Sequence, residues 1–428
     1  MNTVCVRSAV LVQVISMIGL ASASTSSAQL TVAPLPDLQL SKGGKVHAVV
    51  VQADGRMIVG GAFRAVNGVP RHNLARINRD GSVDSGWNPD VRGPEGASVH
   101  ALALHEDAVL VGGRFDQVGG LPRLNVAKVS LAGAGGPDPD WNPGVSAELP
   151  APEPAIVRAL VVFGNEVFIG GDFDIVDGRP IRDVARLSLL GNGAADPQWS
   201  LALEGRGVWT LALGPVPFGP PVLVPAGAEA EESVTNLYVG GEFALRSTDD
   251  EDFVAGDWRH LIRVPVHAPP APDPAWRPNP NGPVRSLAVG AGTVFAGGTF
   301  TEIDGLERLR AARLHVTEDA KGGLVDADWQ LAIEPGRQEV DPEAGVAVLW
   351  LEQDRLYLGG SFEGVGSQPL RHLIRAAIRG EQLLDAAWRP QPDGPVQALA
   401  RSESVWLAGG AFEQAGGATA LGLARLDG

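Results

Sequence analysis

Seven residues that share one position in a repeated motif are the best candidates for ligand chemistry in this chain. The motif is of the type Val-x-Ala-Leu, and the residue at x differs between copies far more than its neighbours do. The x residues are His47, His100, Arg158, Trp209, Arg285, Ala347 and Gln397. Imidazole, guanidinium and indole groups bind ligands through hydrogen bonds, charge and ring faces. We interpret the six members other than alanine as a candidate ligand-binding ring; the alternative is that they only fill space between neighbouring units.

Motifs for catalysis and for metal binding are absent from the sequence. There is no Gly-x-Ser-x-Gly nucleophile motif, and the histidines lack the His-Glu-x-x-His spacing of a zinc site. Asp172, Asp174 and Asp177 lie close together, but not at the spacing of a calcium-binding loop. The repeated Gly-Gly pairs are not followed by Lys-Ser or Lys-Thr, as a phosphate-binding loop would require. The sequence therefore predicts no cofactor, no metal site and no identifiable catalytic residue.

The seven x positions belong to a repeat that spans most of the chain. Each copy contains the x motif, then Gly-Gly-x-Phe, then an Ala-Arg-like pair, and six copies end with Asp-x-x-Trp. The Gly-Gly-x-Phe segments are 60–63, 112–115, 170–173, 240–243, 297–300, 359–362 and 409–412, at intervals of 50 to 70 residues. A repeat of this length is a supersecondary unit that buries its apolar face only by stacking on copies of itself.

Each copy has the pattern of four short antiparallel strands. The segments are rich in Val, Leu and Ile and are bounded by Gly, Pro, Asp or Asn, and no stretch between them has helical periodicity. We therefore predict an all-β fold, a single seven-bladed β-propeller of four-stranded blades over residues 29–428. The seventh copy stops before its fourth strand. We expect the N-terminal strand at residues 35–40 to complete that last blade, which would remove two exposed sheet edges.

Two sets of charged residues also recur with the repeat. The basic set is Arg76, Lys128, Arg186, Arg263, Arg313, Arg375 and Arg425, and the acidic set is Asp84, Asp138, Asp196, Asp273, Asp326 and Asp385. A ring of seven cations could bind an anion. An ion pair within each blade explains both sets without a ligand, and we favour that interpretation.

The N-terminal 28 residues have the features of a secretory signal peptide. Arg7 precedes an apolar stretch over 9–20, and small-x-small cleavage sites end at Ala23 and Ala28. Removing residues 1–28 takes away Arg7, no acidic residue and Cys5, which is the only cysteine; the formal net charge changes from −16 to −17. A charge of this sign argues against nucleic acid and anionic membranes as partners. We expect a secreted monomer in the periplasm, outside the cell or on its surface, with no membrane insertion after cleavage.

The repeat resembles a known family. The segments Val49–Gln52, Ile58–Phe63, Leu74–Asn78 and Asp80–Asp84 resemble the delta-60 repeat, a bacterial β-propeller repeat of secreted and surface proteins. The resemblance covers about residues 35–428 and is weakest in the fourth copy, and Trp stands where the family usually has Phe at the end of the unit. It implies a propeller in an extracellular setting. It implies no established reaction and no catalytic residues.

Three functions are compatible with these features. The first is a non-catalytic binding or scaffold module for a protein, glycan or small molecule at the axial mouth and loops. The second is an extracellular carbohydrate-active hydrolase or lyase at the propeller axis, with His47, His100 and Arg158 near its site. The third is a scaffold without a small ligand, which predicts that the x residues are buried. We favour the first, and whether the protein is an enzyme stays open.

Overall fold

The computed structural model describes residues 40–427, except 149–152, 202, 216–234, 246–257, 268, 291, 317–323, 336–343, 381 and 403–404. All helical or extended secondary structure in these residues is β-strand. No helix among them is long and apolar enough to cross a membrane. The predicted all-β class is confirmed for this part of the chain. The predicted signal peptide, residues 1–28, lies outside the described residues.

Seven antiparallel sheets of three strands form most of the structure. Within each sheet the strands follow chain order, and we call them inner, middle and outer, since the first strand also contacts the neighbouring sheets. The sheets are sheet 1 (Lys45–Val51, Met57–Ala62, Leu74–Ile77), sheet 2 (Ser98–His105, Ala108–Arg114, Val126–Ser130), sheet 3 (Ile156–Phe163, Glu166–Asp172, Val184–Ser188), sheet 4 (Glu204–Pro215, Thr235–Leu245, Trp258–Pro265), sheet 5 (Val284–Gly290, Thr293–Gly298, Ala311–His315), sheet 6 (Gly345–Glu352, Arg355–Ser361, Leu373–Ala377) and sheet 7 (Val396–Ser402, Val405–Gly410, Leu423–Asp427).

Two-residue strands form small hairpins between the middle and outer strands, and three of them lie between the outer strand of one sheet and the inner strand of the next. They are Ala65–Val66, Val69–Pro70, Val91–Arg92, Gln117–Val118, Leu121–Pro122, Val145–Ser146, Ile175–Val176, Arg179–Pro180, Glu302–Ile303, Leu306–Glu307, Ile333–Glu334, Gly364–Val365, Gln414–Ala415 and Ala418–Thr419. In three places the chain leaving one copy pairs with the small hairpin of the next, as Val91 pairs with Val118. These pairs connect consecutive sheets through backbone hydrogen bonds.

The seven sheets pack in chain order, and the last packs against the first. The inner strand of each sheet contacts the sheet before it, and the inner strand of sheet 1 contacts the inner and middle strands of sheet 7. One buried cluster joins Val46 and Val59 of sheet 1 to Ala398 and Leu407 of sheet 7. The contacts between sheets therefore form a continuous cycle, although the two ends of that cycle are far apart in the chain.

The first glycine of each Gly-Gly pair lets neighbouring sheets approach closely. A Cβ atom on Gly60 would lie 2.5 Å from Cγ1 of Val99, the valine of the x motif in sheet 2. The same collision recurs in every copy, and a Cβ on Gly409 of sheet 7 would lie 2.5 Å from Cγ1 of Val46 in sheet 1. Glycine in a strand often marks close approach of another group. The repeated glycine is therefore a structural requirement.

The fourth strand of each copy is much shorter than predicted. In five copies the chain that follows the outer strand forms only an isolated bridge to it, as Val83 does with Ile77. Each of the seven main sheets has three strands. The Asp of Asp-x-x-Trp explains the difference. Oδ1 of Asp84 accepts a hydrogen bond from the backbone N–H of Gly86 at 2.9 Å, which bends the chain into a turn. The prediction of four full strands is wrong for the described residues.

The predicted closing strand is described only at its last residue. Leu40 forms an isolated bridge to Val66 of the sheet 1 hairpin, and it shares a buried cluster with Leu423 of sheet 7. Leu40 thus lies between the first and last sheets. Residues 35–39 lie outside the described part of the chain, so closure of the last blade by an N-terminal strand stays a prediction.

The recurring charges form ion pairs within the sheets, as the sequence interpretation favoured. Nη2 of Arg76 lies 2.9 Å from Oδ2 of Asp84, and Nζ of Lys128 lies 3.2 Å from Oδ2 of Asp138. The other four pairs are Arg186–Asp196, Arg263–Asp273, Arg313–Asp326 and Arg375–Asp385. All six basic side chains lie at least three-quarters buried, so their desolvation is offset by the paired carboxylates.

The paired arginines and the tryptophans also connect one sheet to the next. Nη1 of Arg76 donates a hydrogen bond to the backbone oxygen of Leu131, which follows the outer strand of sheet 2. The indole N–H of Trp87 donates to the backbone oxygen of Ser130, the last residue of that strand, at 2.9 Å. The guanidinium carbon of Arg76 lies 5.0 Å from the centroid of Trp87. The indole N–H groups of Trp141, Trp276 and Trp329 donate equivalent hydrogen bonds to backbone oxygens of the next sheet. These residues stabilise the packing between sheets.

We expect Arg375→Ala to lower the melting temperature by several degrees. The change removes two hydrogen bonds to Oδ2 of Asp385 and leaves that carboxylate without its cation. Hydrogen bonds to charged groups contribute about 1.5–3 kcal/mol each to stability. The control is Arg355→Ala, which removes a more exposed arginine that lies 3.9 Å from Asp354. Equal melting temperatures for the two variants would contradict the role of the ion pair.

We expect Gly112→Ala to destabilise the packing of sheet 2 against sheet 3. The new methyl group would lie 2.7 Å from Cγ1 of Val157, and overpacking of this kind costs about 1–3 kcal/mol. Gly136→Ala is the matched control, because a Cβ there meets no atom within 4 Å. Urea unfolding of both variants measures the difference, and a Gly112→Ala midpoint at the wild-type value would be the contrary result.

Candidate functional site

A β-bulge places the x residue of the motif outside the strand ladder in every sheet. In sheet 1 the register shifts between Val46 and Ala48, so that His47 has no partner on the middle strand. The six other inner strands shift at the corresponding place, around His100, Arg158, Trp209, Arg285, Ala347 and Gln397. A bulge residue is unpaired and its side chain is redirected. The variable position in the sequence is therefore also the extra residue in the structure.

The second glycine of each Gly-Gly pair makes room for this bulge. A Cβ on Gly61 would collide with the carbonyl oxygen of Lys45 in the adjacent inner strand, two residues before His47. The second glycines of the other six copies face a backbone oxygen in the same way. The motif that appeared to serve only the fold thus also sets the orientation of the x residues.

Side chains of the ring contact one another across neighbouring sheets. Nδ1 of His47 and Oε1 of Gln397 lie 2.9 Å apart, which connects sheet 1 to sheet 7. The rings of His47 and His100 stack with centroids 4.5 Å apart and an interplanar angle of 7°. The guanidinium carbons of Arg158 and Arg285 lie 4.8 and 4.7 Å from the centroid of Trp209. The structure therefore brings the six predicted residues together at one level of the cycle.

The ring divides by charge into two arcs. The first arc contains Gln397, His47 and His100, and Nε2 of His100 lies 2.9 Å from Oγ of Ser98. Desolvation by burial is the largest cause of the lowered pKa of both histidines. The charges of His47 and Arg158 lower the pKa of His100 further, to about 3. Both imidazoles are consequently neutral at pH 7. The second arc, Arg158, Trp209 and Arg285, has two guanidinium charges around one indole.

All seven x residues are half-buried. Each keeps part of its surface accessible, which the space-filling alternative does not need. The indole N–H of Trp209 is a further polar group of interest, because it is buried and has no hydrogen-bond acceptor among the described residues. Ligand binding by the ring stays a prediction.

A second variable ring lies one strand outward, and the sequence interpretation missed it. It is the x of Gly-Gly-x-Phe, at Ala62, Arg114, Asp172, Glu242, Thr299, Ser361 and Ala411. Asp172 pairs with Ile156 two residues before Arg158. Desolvation raises the pKa of Asp172, and the charge of Arg158 acts in the opposite direction. The signal was present in the sequence, since this position differs between copies just as the first one does.

One cavity of the structure is lined by residues outside the ring. It has a volume of about 880 Å³ between the loops before sheets 1 and 2, and Lys42, Arg64, His72, Arg92 and Glu95 contribute its charged or titratable lining. None of the seven ring residues lines it. No group of three metal-ligating side chains was found among the described residues.

One residue in each copy adopts a left-handed backbone conformation close to the ring. These residues are Asn73, Asn125, Asp183, His260, Arg310, His372 and Gly422, with φ between 58° and 75°. The side chain of Asn73 accepts a hydrogen bond from N–H of Phe63 and donates one to the oxygen of Val91, which leads to sheet 2. Asn125 makes the same two bonds. An ionised aspartate at this position lacks the donor.

Comparison with known proteins finds one family model and several solved structures that are similar to this chain. A family model described as a domain of unknown function (DUF5122) beta-propeller matches residues 52–86. The similar solved structures include the WD40 beta propeller domain of Doa1, at 12% identity and a TM-score of 0.47, over 93% of this chain and 96% of that chain. They also include the computationally designed Ika8 protein, at 12% identity and a TM-score of 0.46, over 91% and 98%.

A third similar structure is the extracellular domain of the hybrid two component system BT4673 from B. thetaiotaomicron. It matches at 11% identity and a TM-score of 0.39, over 93% of this chain and 39% of that chain. With TM-scores below 0.5, these similarities imply nothing about a ligand or an activity. A search of curated proteins finds no match.

We expect Asp183→Asn to remove part of the pH dependence of stability. Burial, followed by the charges of Asp172 and Asp174, raises the pKa of Asp183 from 3.8 to about 7. The folded state therefore binds more protons than the unfolded state between these values, so the free energy of unfolding decreases as pH rises from about 4 to about 7. Asparagine stays neutral and can donate as Asn73 and Asn125 do.

The measurement is urea unfolding of wild type and Asp183→Asn at pH 5 and pH 8. The variant should be more stable than wild type at pH 8, and its advantage should shrink at pH 5. Asp140→Asn, which removes an exposed carboxylate, controls for the change in net charge. An advantage of the same size at both pH values would show that Asp183 is ionised throughout.

Proposed function

We propose that this protein is a secreted, seven-bladed β-propeller that acts as a non-catalytic binding module at its axial mouth. In this proposal it is a monomer of the delta-60 repeat type, closed by residues 35–40, with a protein, glycan or small molecule as ligand. The cycle of contacts from sheet 1 to sheet 7 supports seven blades. The propeller family model over residues 52–86 supports the repeat type.

One observation carries the choice of site: the same bulge occurs in seven sheets and holds side chains of five different types. A structural position in a repeat needs one residue type, as the glycines and valines of this chain illustrate. The bulge position has two histidines, two arginines, a tryptophan, a glutamine and an alanine. The fold tolerates this variety because the bulge residue lies outside the ladder, which leaves its type free for recognition.

The alternative function, a hydrolase or lyase, is less compatible with the electrostatics of the ring. General base catalysis by a histidine needs a pKa near the working pH. The pKa of His47 is lowered, and that of His100 is lowered to about 3, chiefly because both are desolvated. A pKa of about 3 makes His100 a weak base at neutral pH. These histidines suit hydrogen bonding to a ligand better than proton transfer.

The test is a binding screen with residues 29–428 against an array of neutral and acidic glycans, followed by the double variant His100→Ala plus Arg158→Ala. We expect loss of the detected binding by at least tenfold, since both side chains would contact the ligand. The control is His267→Ala plus Arg355→Ala, which removes one exposed histidine and one exposed arginine. A melting curve shows that each variant is folded. Unchanged binding by a folded ring variant would move the site to the loops.

A further inference from the structure

The cavity between sheets 1 and 2 is lined by positive charges from three separate segments of the chain. Lys42 lies in the turn before the inner strand of sheet 1, Arg64 follows the middle strand of that sheet, and Arg92 lies on the short strand before sheet 2. One acidic residue, Glu95, completes the charged lining. The volume of about 880 Å³ is within the range of roughly 300–1,000 Å³ that is typical of sites for small ligands. These charges therefore border one shared space.

Two of the three cations have no counter-ion. The ammonium group of Lys42 and the guanidinium group of Arg64 form neither a hydrogen bond nor an ion pair with any described residue. Arg92 differs, because its Nε lies 2.8 Å from Oδ2 of Asp90. Oδ1 of the same carboxylate lies 2.7 Å from Nδ1 of His72, which also lines the cavity. The uncompensated positive charge of the cavity thus comes from Lys42 and Arg64.

Arg64 also reverses the charge that its position has in most copies of the repeat. The residue directly after Gly-Gly-x-Phe is acidic in four of the other copies and neutral in two, at Asp116, Asp174, Ala244, Thr301, Glu363 and Glu413. In the third copy this side chain has a structural role, since Oδ2 of Asp174 accepts a hydrogen bond from the backbone N–H of Glu148 at 3.0 Å. In the first copy the backbone N–H of Arg64 makes the link to the preceding loop, to Oγ of Ser41 at 3.1 Å. The guanidinium group of Arg64 is therefore not needed for that link.

We propose that this cavity is a second binding site, separate from the ring, for a small ligand with more than one oxyanion group, carboxylate or phosphate. Guanidinium and ammonium groups bind both kinds of oxyanion through charge-assisted hydrogen bonds. Cations on three segments can contact such a ligand at more than one point. The proposal does not depend on the ring, because none of the ring residues lines the cavity.

The rest of the lining favours an anion over a neutral sugar or an apolar ligand. Its one aromatic residue, Phe63, is only 3% exposed, so no ring face is available for stacking. Four glycines line the cavity with backbone in place of side chains. The three cations outnumber the carboxylates of Glu95 and Asp90, in a chain whose formal net charge is −16. A local excess of positive charge of this kind attracts anions.

The experiment is calorimetric titration of the full chain with citrate and, separately, with pyrophosphate, at constant ionic strength set by chloride. We expect saturable binding of at least one of these anions with a one-to-one stoichiometry. The affinity should fall as the chloride concentration is raised, because salt screens exposed charges. The anion that binds more tightly identifies the ligand group as carboxylate or phosphate.

Arg64→Glu is the sharpest variant, because the sixth and seventh copies have glutamate at this position and the fold accepts it there. We expect Arg64→Glu, and separately Lys42→Gln plus Arg64→Gln, to weaken the binding at least tenfold. The control is Arg355→Gln plus Arg379→Gln, which removes two exposed arginines in sheet 6 and the turn after it and should leave the affinity unchanged. A melting curve shows that each variant is folded.

The inference is overturned if neither anion binds saturably, or if binding survives in both cavity variants. An equal loss in the control variant would show a general effect of net charge and would also overturn it. Binding that the cavity variants retain and that His100→Ala plus Arg158→Ala loses would assign the anion to the ring. That result would refute the cavity site and support the proposed function.

Discussion

The close approach of each sheet to the next is the constraint on which the rest of this structure depends. It is possible only where a strand has no side chain, and the chain meets it seven times with a glycine that faces a valine of the following sheet. Around that contact the apolar clusters, the ion pairs and the indole hydrogen bonds to the next sheet all repeat. The last of these contacts, Gly409 on Val46, uses the same atoms as the first six.

The adjacent glycine connects this packing to recognition. Without a Cβ, the second glycine admits the carbonyl oxygen of a bulged inner strand, and the bulge places one residue per sheet outside the ladder. Packing between sheets fixes the valine before the bulge. The bulge residue is released from that packing and is surrounded by its counterparts from the neighbouring sheets. A regular frame thus positions an irregular set of side chains, and the irregular set determines which ligands fit.

The sequence predicted the parts of the fold that depend on local pattern. The inner strands, the ion pairs such as Arg76–Asp84 and the grouping of His47, His100 and Arg158 follow from residue spacing in the repeat. The bulge was harder to find because it exists only in the register between two strands. The pKa of Asp183 is raised first by burial and then by the charges of neighbouring carboxylates, and both depend on the folded structure. The short fourth strands depend on an aspartate side chain that accepts a hydrogen bond within its own turn.

The contact between His47 and Gln397 has a consequence for how the chain folds. The two residues are 350 positions apart, yet each sheet is built from one continuous segment that can pair its own strands, such as residues 45–77 in sheet 1. Sheet formation is therefore local, whereas the final junction demands the most distant pairing in the molecule, and distant pairings form slowly. Before that junction forms, sheets 1 and 7 expose the apolar faces that they later bury against each other. These faces can then pair between two partly folded chains instead of within one. His47 and Gln397 therefore belong both to the candidate ligand-binding ring and to the junction between sheets 1 and 7.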